Sequence, residues 1–234
     1  VDPDVGDDDD APPDDSDDSD DSGDGPGDPI ACTSLTSGSG IASTSAVTAS
    51  VSPAADSLVC ATFVSALASV PNAPTISGNG LTWTQVASVQ FHTGNARRIT
   101  TACAQGDSPS AGAITASWGV QSQTSFLWSI VQCTGVHSTL AVDQTVTQTA
   151  SAAGTMTTTL GTLTAATSVH LAWTGLSVTT ALTAPDADFA ELSDVTTATG
   201  VSTLETQWAT NQLSVTPTFP TASAAGISIE VRAP

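Results

Sequence analysis

The sequence of 234 residues predicts an all-β fold, a jelly-roll-like β-sandwich with an internal duplication, preceded by an Asp-rich extended tail. Three observations point there. After Pro29 the chain is rich in Thr, Ser, Val and Ala, and helix signals are nearly absent. Alternating runs recur between clusters of Gly, Pro, Asn and Asp, the signature of short strands joined by turns. Several of these runs reappear in the same order in the second half of the chain.

Residues 1–29 stand apart. They hold 14 Asp and five Pro, no basic residue, and nothing apolar beyond Val1, Val5 and Ala11. Such a stretch has too little apolar surface to offset its ordering entropy. Pro26-Gly27-Asp28-Pro29 closes it as a hinge. Ser37-Gly38-Ser39-Gly40 then reads as a flexible linker. Strands are expected near 43–52, 57–66, 81–91, 97–105, 112–118 and 125–134, with turns such as Asn79-Gly80 and Gly94-Asn95 between them. The second half continues with strands near 140–149, 155–163, 167–175, 188–196, 201–209, 212–219 and 225–233. The organisation is therefore a tail at 1–29, a first half-sandwich at 30–136 and a second at 137–234.

The duplication rests on aligned blocks. Leu58 to Phe63 matches Ser168 to Trp173, and Trp83 to Val89 matches Phe189 to Val195. Gly94 then falls on Gly200, Ile114 to Trp118 on Val215 to Phe219, and Trp128-Ser129-Ile130 on Ile227-Ser228-Ile229. Each half supplies about six strands, and one sandwich of pseudo-twofold symmetry buries more core than two small ones in tandem. Strand alternation points Val59, Ala61, Phe63, Trp128 and Ile130 to the core, with Val169, Leu171, Trp173, Ile227 and Ile229 as counterparts. The large rings repeat at equivalent positions, as core anchors do. Cys60 and Cys133 then face outward.

Charge and cysteines bound the function. The formal net charge is −20, yet residues 30–234 carry nine acids against three Arg, a net −6. That is no generally acidic surface, and no basic patch exists to displace counterions from a nucleic acid. Cations or a basic protein surface suit the tail better. There is no Lys and no N-glycosylation sequon. No apolar run approaches the roughly 18 residues of a membrane helix, so no membrane insertion is expected. No signal peptide heads the chain, and Val1-Asp2-Pro3 reads as a mature start. Cys32, Cys60, Cys103 and Cys133 lack CxxC spacing and fit two disulfides formed in an oxidising compartment. Cysteines that share a face can pair across strands, so Cys60 with Cys133 and Cys32 with Cys103 is one of three connectivities.

Candidate chemistry is sparse. Asp18-x-Asp20-x-Ser22-Gly23 and Asp20-x-Ser22-x-Asp24-Gly25 both match the opening of a calcium loop. Pro29 falls where an EF-hand would place its bidentate Glu, so the expectation is a looser calcium site on Asp14, Asp15, Asp17, Asp18, Asp20, Asp21, Ser22 and Asp24. A solvated, repulsive spacer is the other reading. Arg97 and Arg98 are candidates to receive carboxylates from a neighbouring subunit's tail. Neither a GxSxG elbow nor HExxH nor a phosphate-cradling Gly loop occurs, and no enzyme is expected. His92, His137 and His170 read as surface residues. Glu191 and Glu205, on neighbouring strands, are the one pair with the look of a glycosidase acid and base.

The runs Asp56 to Phe63 and Gly80 to Val86 resemble the Ser/Thr/Ala-rich sandwich modules of bacterial cell-surface and phage tail proteins. The resemblance implies a secreted, non-enzymatic surface protein and supplies no catalytic residues. The expected role is a self-assembling extracellular filament or surface-layer subunit, a homopolymer whose acidic tail binds calcium or a neighbouring copy. The alternative is an adhesive module that binds glycans on exposed Trp.

Overall fold

The computed structural model describes residues 29–180, 182 and 185–234. The first half contributes β1 (Ala31–Ser43), β2 (Ser45–Val51), β3 (Leu58–Ala66), β4 (Thr75–Gly78), β5 (Thr84–Phe91), β6 (Arg97–Gln105), β7 (Gly112–Ser117) and β8 (Gln123–Thr134). The second contributes β9 (Val142–Thr155), β10 (Thr158–Thr159), β11 (Val169–Leu176), β12 (Ala190–Thr197), β13 (Ser202–Thr210), β14 (Ser214–Val215) and β15 (Thr218–Val231). All assigned pairings are antiparallel.

The all-β sandwich is present, and its layers number four. A five-stranded sheet of order β1-β8-β3-β6-β5 carries a three-stranded sheet, β2-β7-β4, on one face. A second five-stranded sheet, β12-β13-β11-β15-β9, carries the short pair β10-β14. The two large sheets bury their remaining faces against each other and form the largest core.

The duplication is visible in this topology. Read from opposite ends, the large sheets correspond strand for strand: β1 with β9, β8 with β15, β3 with β11, β6 with β13 and β5 with β12. Both end strands β5 and β12 carry a bulge, between Gln85 and Ala87 and between Glu191 and Ser193. These bulges fall on Val86 and Leu192, which the sequence blocks align. Across the central core β1 packs on β12 while β9 packs on β5, and β8 packs on β13 while β15 packs on β6. The contacts are reciprocal between the halves, the pattern an isologous interface has.

Burial on both faces explains the composition of the middle strands. Every residue of β3 and β11 is buried. Val59, Ala61 and Phe63 point to the three-stranded sheet, whereas Cys60 and Val64 point to the central core. Val169, Leu171 and Trp173 point to the central core instead, so the aligned residues face opposite layers in the two halves. Trp128 and Ile130 differ from Ile227 and Ile229 in the same way. A one-residue register difference has this effect, and burial on both faces tolerates it.

Three expectations are corrected. Cys60 and Cys133 do not face outward; both are buried in the central core. Their pairing also differs, with disulfides Cys32–Cys133 and Cys60–Cys103. Strand register decides this: Cys32 lies directly opposite Cys133, and Cys60 opposite Cys103, whereas Cys133 lies opposite Leu58. Ser37 to Gly40 is no linker but the middle of β1. Gly38 sits under the Trp128 ring and Gly40 under the Phe126 ring, where an added Cβ would fall 2.6 Å and 2.4 Å from ring carbons. The aromatics of β8 occupy the space that side chains on β1 would fill.

Candidate functional site

The Asp-rich calcium candidates, Asp14 to Asp24, lie outside the described residues. Among the described residues no three His, Cys, Asp or Glu converge as a metal centre requires.

Arg97 and Arg98 open β6, next to the turn at Thr93–Asn95. Arg97 donates through Nε to Ser202 Oγ at 3.2 Å, through Nη1 to the Ala96 carbonyl at 2.9 Å, and through Nη2 to the Gly200 carbonyl. It thereby ties β6 to the start of β13 across the two halves. Arg98 donates to the Pro71 carbonyl at 2.7 Å and to Ser88 Oγ at 2.9 Å. Both are half-buried and hold their own chain together.

The histidines are less exposed than the sequence suggests. His170 is fully buried, and its Nδ1 contacts the Gln212 carbonyl at 3.1 Å. Its ring lies edge-on to Phe189 at 5.3 Å. Burial pushes its pKa down to about 4 against a weaker opposing effect of that hydrogen bond, so it is neutral at pH 7. Burial, and then the neighbouring Arg97 charge, also lower His92. In the turn after β8, His137 Nδ1 accepts from the Thr139 and Leu140 amides.

None of the five Trp is exposed. Trp118 and Trp173 are fully buried, and Trp83, Trp128 and Trp208 are half-buried. Phe63, Trp118, Phe126 and Trp128 form a continuous row of rings with centroids 5.0–6.2 Å apart between the first large sheet and its three-stranded cover. These rings are core anchors. One shallow cavity of about 270 Å³ opens between Thr162–Ala166 and Asn211–Leu213, and no titratable side chain lines it.

The unusual chemistry lies on the face of the second large sheet turned away from the central core. Two buried glutamates there are treated differently. Glu230 accepts hydrogen bonds from the Thr164 amide at 2.7 Å, from Thr164 Oγ1, and from Gln144 Nε2 at 2.6 Å. Burial pushes its carboxyl up, but these donors outweigh burial and hold it below the usual range. Glu205 on β13 is fully buried, and neither carboxyl oxygen has a partner among the described residues. Directly opposite it stand Thr174 on β11 and Asp194 on β12. Burial, with repulsion from Asp194, Glu191 and Asp186, pushes Glu205 up to about 8. Burial, with repulsion from Glu191, pushes Asp194 up to about 6 despite a hydrogen bond from the Leu182 backbone.

The chain between β11 and β12 is fastened over this face. Thr203 Oγ1 donates to the Val178 carbonyl at 2.7 Å and to the Thr180 carbonyl at 3.2 Å. The Asp186 amide donates to Gln207 Oε1 at 2.8 Å, while Gln207 Nε2 is left without a partner. Glu191, opposite Gln207, is exposed. Glu191 and Glu205 therefore do not flank an open groove, since one is in solvent and the other is sealed from it. Sequence reasoning found both residues but not the burial of Glu205, because its neighbours Leu204 and Thr206 occupy a strand that reads as half-polar.

No helix among the described residues is long and apolar enough to cross a membrane. The two disulfides fit an oxidising compartment. Compared with protein-family models, curated proteins and solved structures, the chain matches none of them.

Proposed function

We propose that this is a secreted, non-enzymatic structural protein that assembles with copies of itself into an extracellular filament or surface layer. The observation that supports this reading is the pair of long free edges. β1 spans 13 residues without a charged side chain, and β9 spans 14 with Asp143 alone. Among the described residues each pairs on one side only, and neither contains Pro or Lys. Proteins that stay apart blunt such edges with charges, Pro or bulges. Bulges interrupt all four end strands, near the starts of β5 and β12, between Ser34 and Thr36 in β1, and along the pairing of β9 with β15, so what sets β1 and β9 apart is the length of the outer row of backbone groups they offer. Growth through two different edges of one chain is head-to-tail and need not close. The acidic tail, through calcium or a neighbouring copy's surface, would add to this contact.

Light scattering and electron microscopy of the full chain, with calcium and with chelator, test the reading. A double substitution Thr145→Lys and Thr147→Lys on the exposed row of β9 is expected to abolish assembly, with unfolding stability unchanged within about 0.5 kcal/mol. A wild-type chain that stays monomeric in both buffers at high concentration overturns the proposal.

A further inference from the structure

We propose that Asp194 and Glu205 form a carboxyl pair bridged by a proton, so that the β12–β13 edge is stable only while that proton is held. The pairing register places the two residues opposite each other on one face. Glu205 is fully buried and, among the described residues, neither of its oxygens has a donor; Asp194 Oδ1 is likewise buried without a partner among them. Two facing carboxylates in such a site cannot both be charged without large repulsion and desolvation costs, whereas one acid can donate to one carboxylate. The described surroundings leave no other counterpart. From β12 Glu191 adds negative charge, and Asp186 adds more from the segment before it. β11 offers Ala172 and Thr174 beside the pair, with neutral His170 further along the same face. No cation is among the charges acting on either carboxyl, and Arg97 donates to Ser202, the first residue of β13, and to the Gly200 carbonyl before it. A metal ion is the alternative filler, but the described carboxyls do not converge as its ligands must.

The direction of the pH effect follows from burial. Glu205 is raised to about 8 in the folded chain, against roughly 4.3 when unfolded. The native state therefore holds a proton that the unfolded state has released. The stabilisation is fully present below about pH 4 and is lost as pH rises through about 8. Asp194, raised to about 6, acts in the same direction at lower pH, and the two titrate as a coupled pair. Each proton so held makes the unfolding constant rise about tenfold per pH unit.

The experiment is denaturant unfolding of the full chain at several pH values from 6 to 9, with and without calcium. The wild type is expected to lose stability as pH rises, by close to tenfold per unit between 6 and 7 and less steeply towards 8. Glu205→Gln keeps the shape and a donor to Asp194, and is expected to flatten that slope. Asp194→Asn removes the repelling charge and should move the loss to lower pH. A pH slope in Glu205→Gln equal to wild type overturns the proposal, as does a slope erased by calcium. Should the variants not fold, infrared spectroscopy of the wild type decides. A protonated carboxyl band present at pH 6.5 and lost by pH 9 supports the pair, and its absence at pH 6.5 overturns it.

Discussion

At the scale of single residues, small side chains are functional parts of the packing. Gly38 and Gly40 leave room for the Trp128 and Phe126 rings to lie across β1. Gly38→Val would drive a side chain into the indole and is expected to cost about 1–3 kcal/mol, as overpacked sites do. The urea midpoint reports it, and an unchanged midpoint would mean that the ring moves aside freely. The sequence shows both glycines and both rings but nothing that joins them, because the pairs lie 90 and 86 residues apart and meet only through the β1–β8 register. Ser-Gly repeats also have the composition of a linker, so local reading assigns them to the wrong class. His170 and Glu205 were hidden for a related reason. Polar residues on a strand are read as facing water, yet here a further layer of chain covers that face.

At the scale of elements, register decides chemistry. The four cysteines sit on the adjacent strands β1, β8, β3 and β6 and face the same core. Only the residues directly opposite each other are bridged. Cys32 and Cys133 are separated by 101 residues, and Cys60 and Cys103 by 43. Loop-closure entropy gives each bridge a stabilisation of about 4–5 kcal/mol, with the longer loop ahead by less than about 1 kcal/mol. Replacing Cys32 and Cys133 with Ala is therefore expected to lower the melting temperature slightly more than replacing Cys60 and Cys103, as measured by calorimetry under oxidising conditions. A variant that melts like the wild type would show that the central core alone positions these strands. The second half has no such staple. Its large apolar residues Val169, Leu171, Trp173, Ile227 and Ile229 are instead concentrated on the central face.

At the scale of the whole molecule, the halves meet through a core that is not purely apolar. Ser129 on β8 accepts from Thr206 Oγ1 at 2.8 Å and shares a hydrogen bond with Ser193 at 2.8 Å, joining the first half to β12 and β13. Thr62 lies opposite Ser129, and its hydroxyl bonds to that of Thr101 at 2.7 Å, which extends the polar row across the first sheet. Ser129→Ala leaves two buried hydroxyls on the partner half without their common partner. It is expected to cost about 1–3 kcal/mol, more than an ordinary lost hydrogen bond. Calorimetry of the full chain checks this, and a loss below about 0.5 kcal/mol would show that Thr206 and Ser193 repair the gap between themselves. Hydroxyls of this kind favour one mating of two otherwise similar sheets over its slipped alternatives.

Alternation of small apolar and hydroxyl residues between turn clusters determined that this chain is all β, because strand periodicity and turn chemistry are local properties. The ordered recurrence of blocks likewise marked the duplication, and the even cysteine count marked two bridges. What the tertiary structure alone decided is which way each face points. It made both faces of the large sheets interior, turned aligned residues of the two halves toward opposite layers, paired the cysteines by register, and sealed Glu205 beside Asp194. Each of these depends on contacts between residues far apart in the chain, and a strand's sequence carries its period of two but not the identity of the layer on either side.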